Sequence, residues 1–358
     1  MLEAMDTLGN PSSVHAEGRA VKAIIEKARA QVASLLHPFC DPGEIVFTSG
    51  ATEAAQRILA RHWPRVLISA VEHDAVGGPS LAAGAEIVPV NERGLVPLAA
   101  FDSADGRAGI VLREGELLAI QAANSETGVL QNWFGVTEAA WDWGAHCLLD
   151  ITQSAGKLRE ALPDIREPTF ACFSAHKLGG PNGVGALYVS ERRETNIVDT
   201  GGGQEQGRRS GTENVIGIAG FGAAAMAAKR DLEAGLWDNV EKLRNILEDG
   251  LEAAAPDLII FGKDTPRLPN TSCFAVPGWK GETQVMQLDL AGFAVSAGSA
   301  CSSGKVRESR VLRAMGFDSL TASSAIRVSL GPTTTEAEIR AFLTAWTGLY
   351  RKRARRAA

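Results

Sequence analysis

The strongest constraint on this chain is an alternation. Short apolar runs recur at residues 44–47, 66–69, 86–90, 117–120, 147–149, 170–173 and 185–189. Gly, Pro or Asn punctuates most of them, and helix-like segments lie between several. The first such segment carries Val21, Ile24, Ile25, Ala28, Val32, Leu35 and Leu36 on one helical face. Apolar runs interleaved with helices predict an α/β fold, with a mostly parallel sheet of the seven-stranded type lying between helices. After about Leu236 the texture changes. A helix-like stretch at 237–254 leads to short runs at 258–261, 272–276, 294–296 and 326–330, and then to a helix with Ile339, Phe342, Leu343, Trp346 and Leu349 in register. The chain of 358 residues is long enough for two domains. The expected division is a large α/β domain over 9–236 and a smaller α+β domain over 237–358, joined by residues 1–8.

Composition narrows the function classes. The net charge is −6, and the basic end at 351–358 leaves the body more acidic still. An acidic body argues against nucleic acid as the main partner. The longest apolar stretch, 215–228, falls short of the roughly 18 residues a membrane span requires, and it reads as a buried helix. Residues 1–10 contain acids and no apolar core, unlike a secretory leader. The five cysteines are scattered without a CxxC pair. That pattern speaks against a disulfide framework or a metal site and predicts a cytoplasmic protein.

One lysine stands out. Lys177 follows the apolar run 170–173 within SAHKLGGPNG, where the chain must leave a strand. An amine half desolvated at a strand end has a lowered pKa and becomes nucleophilic. Asp150 ends the neighbouring run in HCLLDITQ. A carboxylate there lies where parallel sheets place ligands, although an Asp at that position also caps helices. The stretch EIVFTSGATEA reads as strand, tight turn and helix start, a place for a phosphate or simply a capped helix. Lysine, carboxylate and phosphate cradle together are what pyridoxal phosphate requires. Cys301 lies in the small-residue segment GSACSSG, which either presents a thiol on a loop or buries it; Lys305, Arg307 and Arg310 nearby favour a thiolate.

With these motifs the chain resembles the NifS-like cysteine desulfurases, within the class-V aminotransferase family of fold-type-I pyridoxal-phosphate enzymes. The matching stretches are GNPSSVHAEGR (9–19), FTSGATEA (47–54), SAVEHDAV (69–76), LLDITQSAGK (148–157), FSAHKLGGPNGVGALYV (173–189), GGGQEQGRRSGTENV (201–215), LPNTS (268–272), SAGSACSSGKV (296–306) and SSAIRVSLG (323–331). The resemblance implies that Lys177 binds pyridoxal phosphate covalently and that Asp150 pairs with its ring nitrogen. Gln153 and Ser125 would lie near the ring hydroxyl. Thr52, Ser174 and His176 would hold the phosphate, with Thr212 supplied by the other subunit of a homodimer. His73 would stack on the ring and move protons, and Arg327 and Asn124 would bind substrate. Cys301 would take sulfur from L-cysteine as a persulfide and pass it to an acceptor, an iron–sulfur scaffold or a thiolation enzyme.

Two departures from the family stand out. Residues 1–10 lack its opening strand and Asn-Ala-Thr-Thr-like loop, and Ser125 stands where the family has a second Asn. The alternatives are a selenocysteine lyase or another enzyme on the same scaffold, or a catalytically impaired scaffold.

Overall fold

A computed structural model describes residues 1–98, 101, 110–159, 162, 169–190, 201–298 and 308–357. The chain forms two compact units. Unit 1 comprises residues 1–88, 98–122 and 132–234, and unit 2 comprises 89–97, 123–131 and 235–358.

Unit 1 is built on one seven-stranded sheet. Its strands are β1 (Ile45–Thr48), β2 (Val66–Ser69), β3 (Glu86–Val88), β4 (Leu117–Gln121), β5 (His146–Asp150), β6 (Phe170–Ser174) and β7 (Gly185–Val189). Their order is β1-β7-β6-β5-β4-β2-β3. β2 pairs in parallel with β3 and β4, β4 with β5, and β5 with β6; β7 runs against both its neighbours. The apolar runs of the sequence therefore correspond to the strands, and only β7 breaks the parallel pattern.

The sheet's two faces divide by strand parity. Val46, Leu148, Phe170, Cys172 and Leu187 form one cluster with Ala54, Ala55 and Ile58 of α3 (Ala51–Leu59). Phe47 and Phe173 point to the other face, edge-on to Phe221 of α6 (Val215–Glu233). Successive side chains of a strand alternate, so each face acquires its own layer of helix. On the α6 side lies α2 (Ala16–Leu36). The two helices approach so closely that a Cβ on Gly222 would lie 2.7 Å from Ala28 Cα. The apolar 215–228 stretch is thus a helix of the interior. Among the described residues no helix is long and apolar enough to cross a membrane.

Residues 1–8, expected with the smaller domain, fall in unit 1. The short helix α1 (Leu2–Met5) packs there, and the methionine at its start occupies the space beside Gly220, where a Cβ would lie 2.9 Å from Met1 Sδ. Two further segments, 89–97 and 123–131, fall in unit 2, although the sequence assigned them to the large domain. Each returns to unit 2 by local bonding: Val96 N–H donates to Gln131 Oε1 at 2.9 Å, and Leu130 N–H to Pro266 O at 2.9 Å.

Unit 2 holds a four-stranded antiparallel sheet, β10-β11-β9-β8, made of β8 (Ile259–Ile260), β9 (Thr271–Ala275), β10 (Ser296–Ala297) and β11 (Ala325–Ser329). Phe274, Ile326 and Val328 of the sheet share a core with Leu243 and Leu247 of α7 (Leu236–Ala254) and with Phe342 and Trp346 of α11 (Glu336–Ala357). A buried ion pair crosses this unit: Arg267 donates both terminal nitrogens to Glu248, each at 2.7 Å.

A second buried ion pair closes the open edge of the larger sheet. β1 is the outermost strand. Its Ile45 carbonyl accepts from Arg29 Nη1 at 2.7 Å, and its Phe47 N–H donates to Glu205 Oε2 at 2.8 Å. Arg29 and Glu205 in turn bond each other at 2.7 and 3.0 Å. Arg29 also pairs with the partly exposed Glu26 at 3.1 Å, but removing Glu205 takes away its buried partner and leaves the Phe47 N–H without its acceptor, a loss of about 3 kcal/mol or more. Glu205→Ala is therefore expected to lower the stability of the apoprotein to urea by at least about that amount. A change within the roughly 0.5 kcal/mol typical of surface sites would show that the pair does not hold the edge.

Candidate active site

The direction of the strands gathers polar side chains at one edge of unit 1. β2, β4, β5, β6 and β1 all point the same way, so Ser69, Gln121, Asp150, Ser174 and Thr48 end them on the same side. Loops that leave the carboxyl ends of parallel strands are where open α/β sheets bind ligands.

Asp150 is only 8% exposed. Its Oδ1 accepts from Thr152 N–H at 2.8 Å. Burial pushes the carboxyl pKa up; the bonds from Thr152 and the positive neighbours His73 and Lys177 oppose this without cancelling it. A carboxylate so placed is stabilised by a cation brought against it. The protonated ring nitrogen of pyridoxal phosphate is such a group, so Asp150 fits the role expected of it.

Lys177 lies beyond β6 in a 3-10 turn, Ala175–Leu178, which ends at Gly179 with φ 88°. The positive φ ends the turn at a residue with no Cβ to clash. The sequence reading had this amine half desolvated, but in the chain by itself Lys177 is exposed. Its desolvation is not supplied by the strand end, because the 3-10 turn carries the side chain clear of the sheet. The buried amine is Lys157, which the sequence reading passed over. It is 8% exposed, and its Nζ donates to the Gln153 carbonyl at 2.8 Å. Burial, with the charge of Lys177 adding to it, lowers the Lys157 pKa from 10.5 to about 8. The signal available in sequence was a lysine at the end of a turn of small residues, QSAGK.

His73 caps α4 (Asp74–Ala82) through Nδ1, which accepts from Ala75 N–H at 3.1 Å. That bond leaves Nε2 as the nitrogen that carries the proton in the neutral ring. Glu72, beside it, is buried, and its Oε1 accepts from Gln121 N–H at 2.8 Å.

The cradle expected for a phosphate takes shape around α3. Ser174 is buried, and its Oγ accepts from Ala51 N–H at 2.8 Å, which leaves the hydroxyl proton to donate. Gly185 faces both Thr48 and Ser174 across the sheet, and a Cβ on it would lie 2.6 Å from Gly50 Cα. Only glycine lets the turn before α3 approach this closely. Thr52 is exposed in the first turn of α3. His176 is exposed, and its pKa is lowered by partial burial and by Lys177, which favours the neutral ring. The loop 201–214, which reads as flexible glycine from sequence, is fastened here: Arg209 Nε donates to Glu53 Oε1 at 3.0 Å, and Arg57 donates to the Arg208 carbonyl at 2.5 Å. Thr212 is exposed on this loop. Gln153 is half-buried, with its carbonyl committed to Lys157.

The other expected residues belong to unit 2. Arg327 on β11 donates through Nη1 to the Ser125 carbonyl at 2.6 Å and through Nη2 to Ser296 Oγ at 3.2 Å. Its Nε–H is buried with no hydrogen-bond partner among the described residues. An unpaired buried donor is costly, and an incoming carboxylate would satisfy it. Asn124 is buried, and its Oδ1 braces a turn by accepting from Glu126 N–H, Thr127 N–H and Thr127 Oγ1. This makes its oxygen a structural group. Ser125 uses its carbonyl to position Arg327. Cys301 lies outside the described residues. The four cysteines that are described, Cys40, Cys147, Cys172 and Cys273, are all buried and free of disulfides. Burial raises the thiols of Cys172 and Cys273 well above their usual pKa.

A match to the family described as aminotransferase class-V covers residues 2–342. The chain belongs to this family. It is 37% identical over 349 residues to a cysteine desulfurase of Klebsiella pneumoniae, covering 95% of this chain and 86% of that protein. It is 40% identical over 363 residues to a cysteine desulfurase of Frankia sp., covering 94% and 83%. Its fold is similar to the solved structure of a NifS-like protein from Rickettsia africae, with a TM-score of 0.86 and 32% identity over 98% of this chain and 94% of that one.

The lowered pKa of Lys157 has a measurable consequence. Between about pH 8 and 10.5 the unfolded chain holds more protons at this amine than the folded chain does, so wild-type stability rises with pH across that window. The drop from 10.5 to about 8 corresponds to about 3 kcal/mol. Lys157→Met lacks the titration. The stability difference between wild type and variant, followed by urea unfolding at a series of pH values, should shift toward wild type by up to that amount above pH 8. A flat difference would place the amine in solvent.

Proposed function

We propose that this chain is a pyridoxal-phosphate-dependent cysteine desulfurase, converting L-cysteine to L-alanine with transfer of sulfur to Cys301. The observation that carries the reading is the buried carboxylate of Asp150 at the end of β5, in the electrostatic field of Lys177 beyond the adjacent β6. The similarity to cysteine desulfurases along nearly the whole chain supports it.

Pyridoxal phosphate, when bound, supplies a carbonyl that condenses with amines and a ring that draws electrons from the adjoining carbon. Asp150 keeps the positive charge on the ring nitrogen. Ser174 Oγ–H, His176, Thr52 and the first turn of α3 hold the phosphate, where the helix end favours an anion. Thr212 reaches the phosphate from the other subunit of a homodimer. Gln153 and Ser125 would bond the ring hydroxyl, as the resemblance implies. Lys177 Nζ anchors the cofactor, removes the proton from the substrate α-carbon and returns one to the product. His73 Nε2 moves the protons that the substrate amine and thiol exchange. Arg327 Nε binds the substrate carboxylate, and Asn124 holds the turn that carries Ser125 beneath Arg327 Nη1.

Cys301 Sγ attacks the substrate sulfur. The carbon–sulfur bond breaks, the new sulfur–sulfur bond leaves a persulfide on Cys301, and the β-carbon takes a proton to become the methyl of alanine. The other four cysteines are buried, and the resemblance puts this role on Cys301. The persulfide then passes to an acceptor, an iron–sulfur scaffold or a thiolation enzyme, in the cytoplasm.

Two measurements test this reading. Asp150→Asn should retain cofactor but lose turnover by roughly a thousandfold, about 4 kcal/mol of barrier; near-normal turnover would reduce Asp150 to a turn cap. After brief exposure to L-cysteine without reductant, mass spectrometry should find one added sulfur on the peptide containing Cys301. Cys301→Ala should carry none and should release no sulfide in the presence of reductant. Undiminished sulfide release from that variant would remove Cys301 from the reaction and make the enzyme a lyase.

A further inference from the structure

On the far side of β1 from the α3 turn lies a second cluster of chemically capable side chains. His37, Cys40 and Glu44 follow the end of α2, and each offers a ligand atom within 4.8 Å of the other two. All three are buried, at 7%, 9% and 6% exposure. The sequence reading set aside metal sites because no CxxC is present. The spacing here is instead His-x2-Cys-x3-Glu, and only the folded turn brings the three together.

Local bonds hold the three residues in place. Cys40 N–H donates to the His37 carbonyl at 3.2 Å, which closes the turn. Asp41 and Glu44 form a reciprocal cap on the 3-10 turn Pro42–Glu44, in which Glu44 Oε2 accepts from Asp41 N–H at 3.0 Å. The cap occupies one carboxylate oxygen. The other, Oε1, is in long contact with Tyr188 Oη at 3.5 Å. Cys40 Sγ has a comparably long contact, 3.8 Å to the Asp41 carbonyl. His37 Nδ1 accepts from Phe39 N–H at 3.2 Å. Ligation through Nε2 moves the ring proton to Nδ1 and gives up that weak bond.

We propose that His37, Cys40 and Glu44 bind a divalent transition-metal ion, best matched by zinc. A thiolate, an imidazole and a carboxylate are zinc's ligand types, at about 2.3, 2.0 and 2.1 Å. In a tetrahedral site those lengths set the ligand atoms about 3.5 Å apart, so the apo cluster closes by movements of about 1 Å. Binding releases the Cys40 thiol proton to solvent, and the dication with two anionic ligands and a neutral imidazole leaves no net charge to bury. The ion also meets the C-terminal end of α2, a helix of 21 residues with no basic side chain in its last turn, where a cation is favoured. Water takes the fourth position. The ion would clamp the end of α2 to the start of β1.

Cobalt(II) is the probe, added to the chelator-treated holoenzyme. One equivalent should produce a thiolate-to-cobalt charge-transfer band and the intense visible absorption of four-coordinate cobalt. Cys301→Ser should keep both features, and Cys40→Ser should lose the charge-transfer band. His37→Gln and Glu44→Gln should weaken binding by more than the roughly 10- to 100-fold that outer-shell changes cost. A band that survives Cys40→Ser, or no stoichiometric binding, overturns the proposal. Because Cys40→Ser alters a buried position, zinc X-ray absorption on the Cys301→Ser protein gives an independent reading. One sulfur at about 2.3 Å among nitrogen and oxygen neighbours is expected, and a shell without sulfur overturns the site.

Discussion

A parallel sheet has two edges, and an edge strand presents unpaired N–H and C=O groups that must be covered. In unit 1 the edge at β1 is covered by an ion pair. Arg29 takes the Ile45 carbonyl and Glu205 takes the Phe47 N–H, while the two charges bond each other. Three parts of the fold meet there: α2, the edge strand, and the glycine-rich loop 201–214. Glu205 adopts φ 49°, an unusual value for a non-glycine residue, in order to reach this position. The compensation is a charge-assisted network in which each buried donor and acceptor has a partner. β1 runs directly into the turn before α3, where the candidate phosphate cradle lies.

The site follows from strand direction. Parallel strands end on one side, so residues far apart in sequence, Ser69, Gln121, Asp150 and Ser174, become neighbours of a single edge without any long-range recognition between them. What differentiates them is burial. Asp150 and Glu72 are interior carboxylates, His73 and Lys177 are exposed, and Lys157 is a buried amine. Electrostatics in the interior is less screened than at the surface. A group held at the strand ends therefore feels the set as a whole, and the raised Asp150 and the lowered Lys157 are its two extremes.

Unit 2 repeats the principle on an antiparallel sheet. Arg327 projects from β11, and two of its nitrogens are fixed by the Ser125 carbonyl and Ser296 Oγ. Fixing two of the three leaves the guanidinium little freedom, and its Nε–H, which has no partner among the described residues, is held in one direction. The short side chain at Ser125, a departure from the family pattern, does not disturb this contact, because the backbone carbonyl makes it.

The sequence by itself determined the order and kind of the elements. Fully apolar runs of four or five residues can only be buried on both faces, so the strands and the layered architecture were legible in composition and punctuation. The candidate residues Lys177, Asp150, Ser174 and His73 were legible as motifs, because each stands where a strand or helix begins or ends, whereas Arg327, in the middle of β11, was marked only by the resemblance. Tertiary structure decided what those motifs experience. It exposed Lys177 and buried Lys157, gave Ser174 the Ala51 N–H as a partner, committed the Asn124 oxygen to a turn, and drew residues 1–8 onto α6. It also turned a loop that reads as flexible glycine into one pinned by Glu205, and it brought His37, Cys40 and Glu44 within ligand distance. The physical reason is the same in each case. Local patterning fixes which backbone conformation a segment takes, whereas burial and pairing of charged groups depend on partners that may lie, as Arg29 and Glu205 do, more than a hundred residues apart.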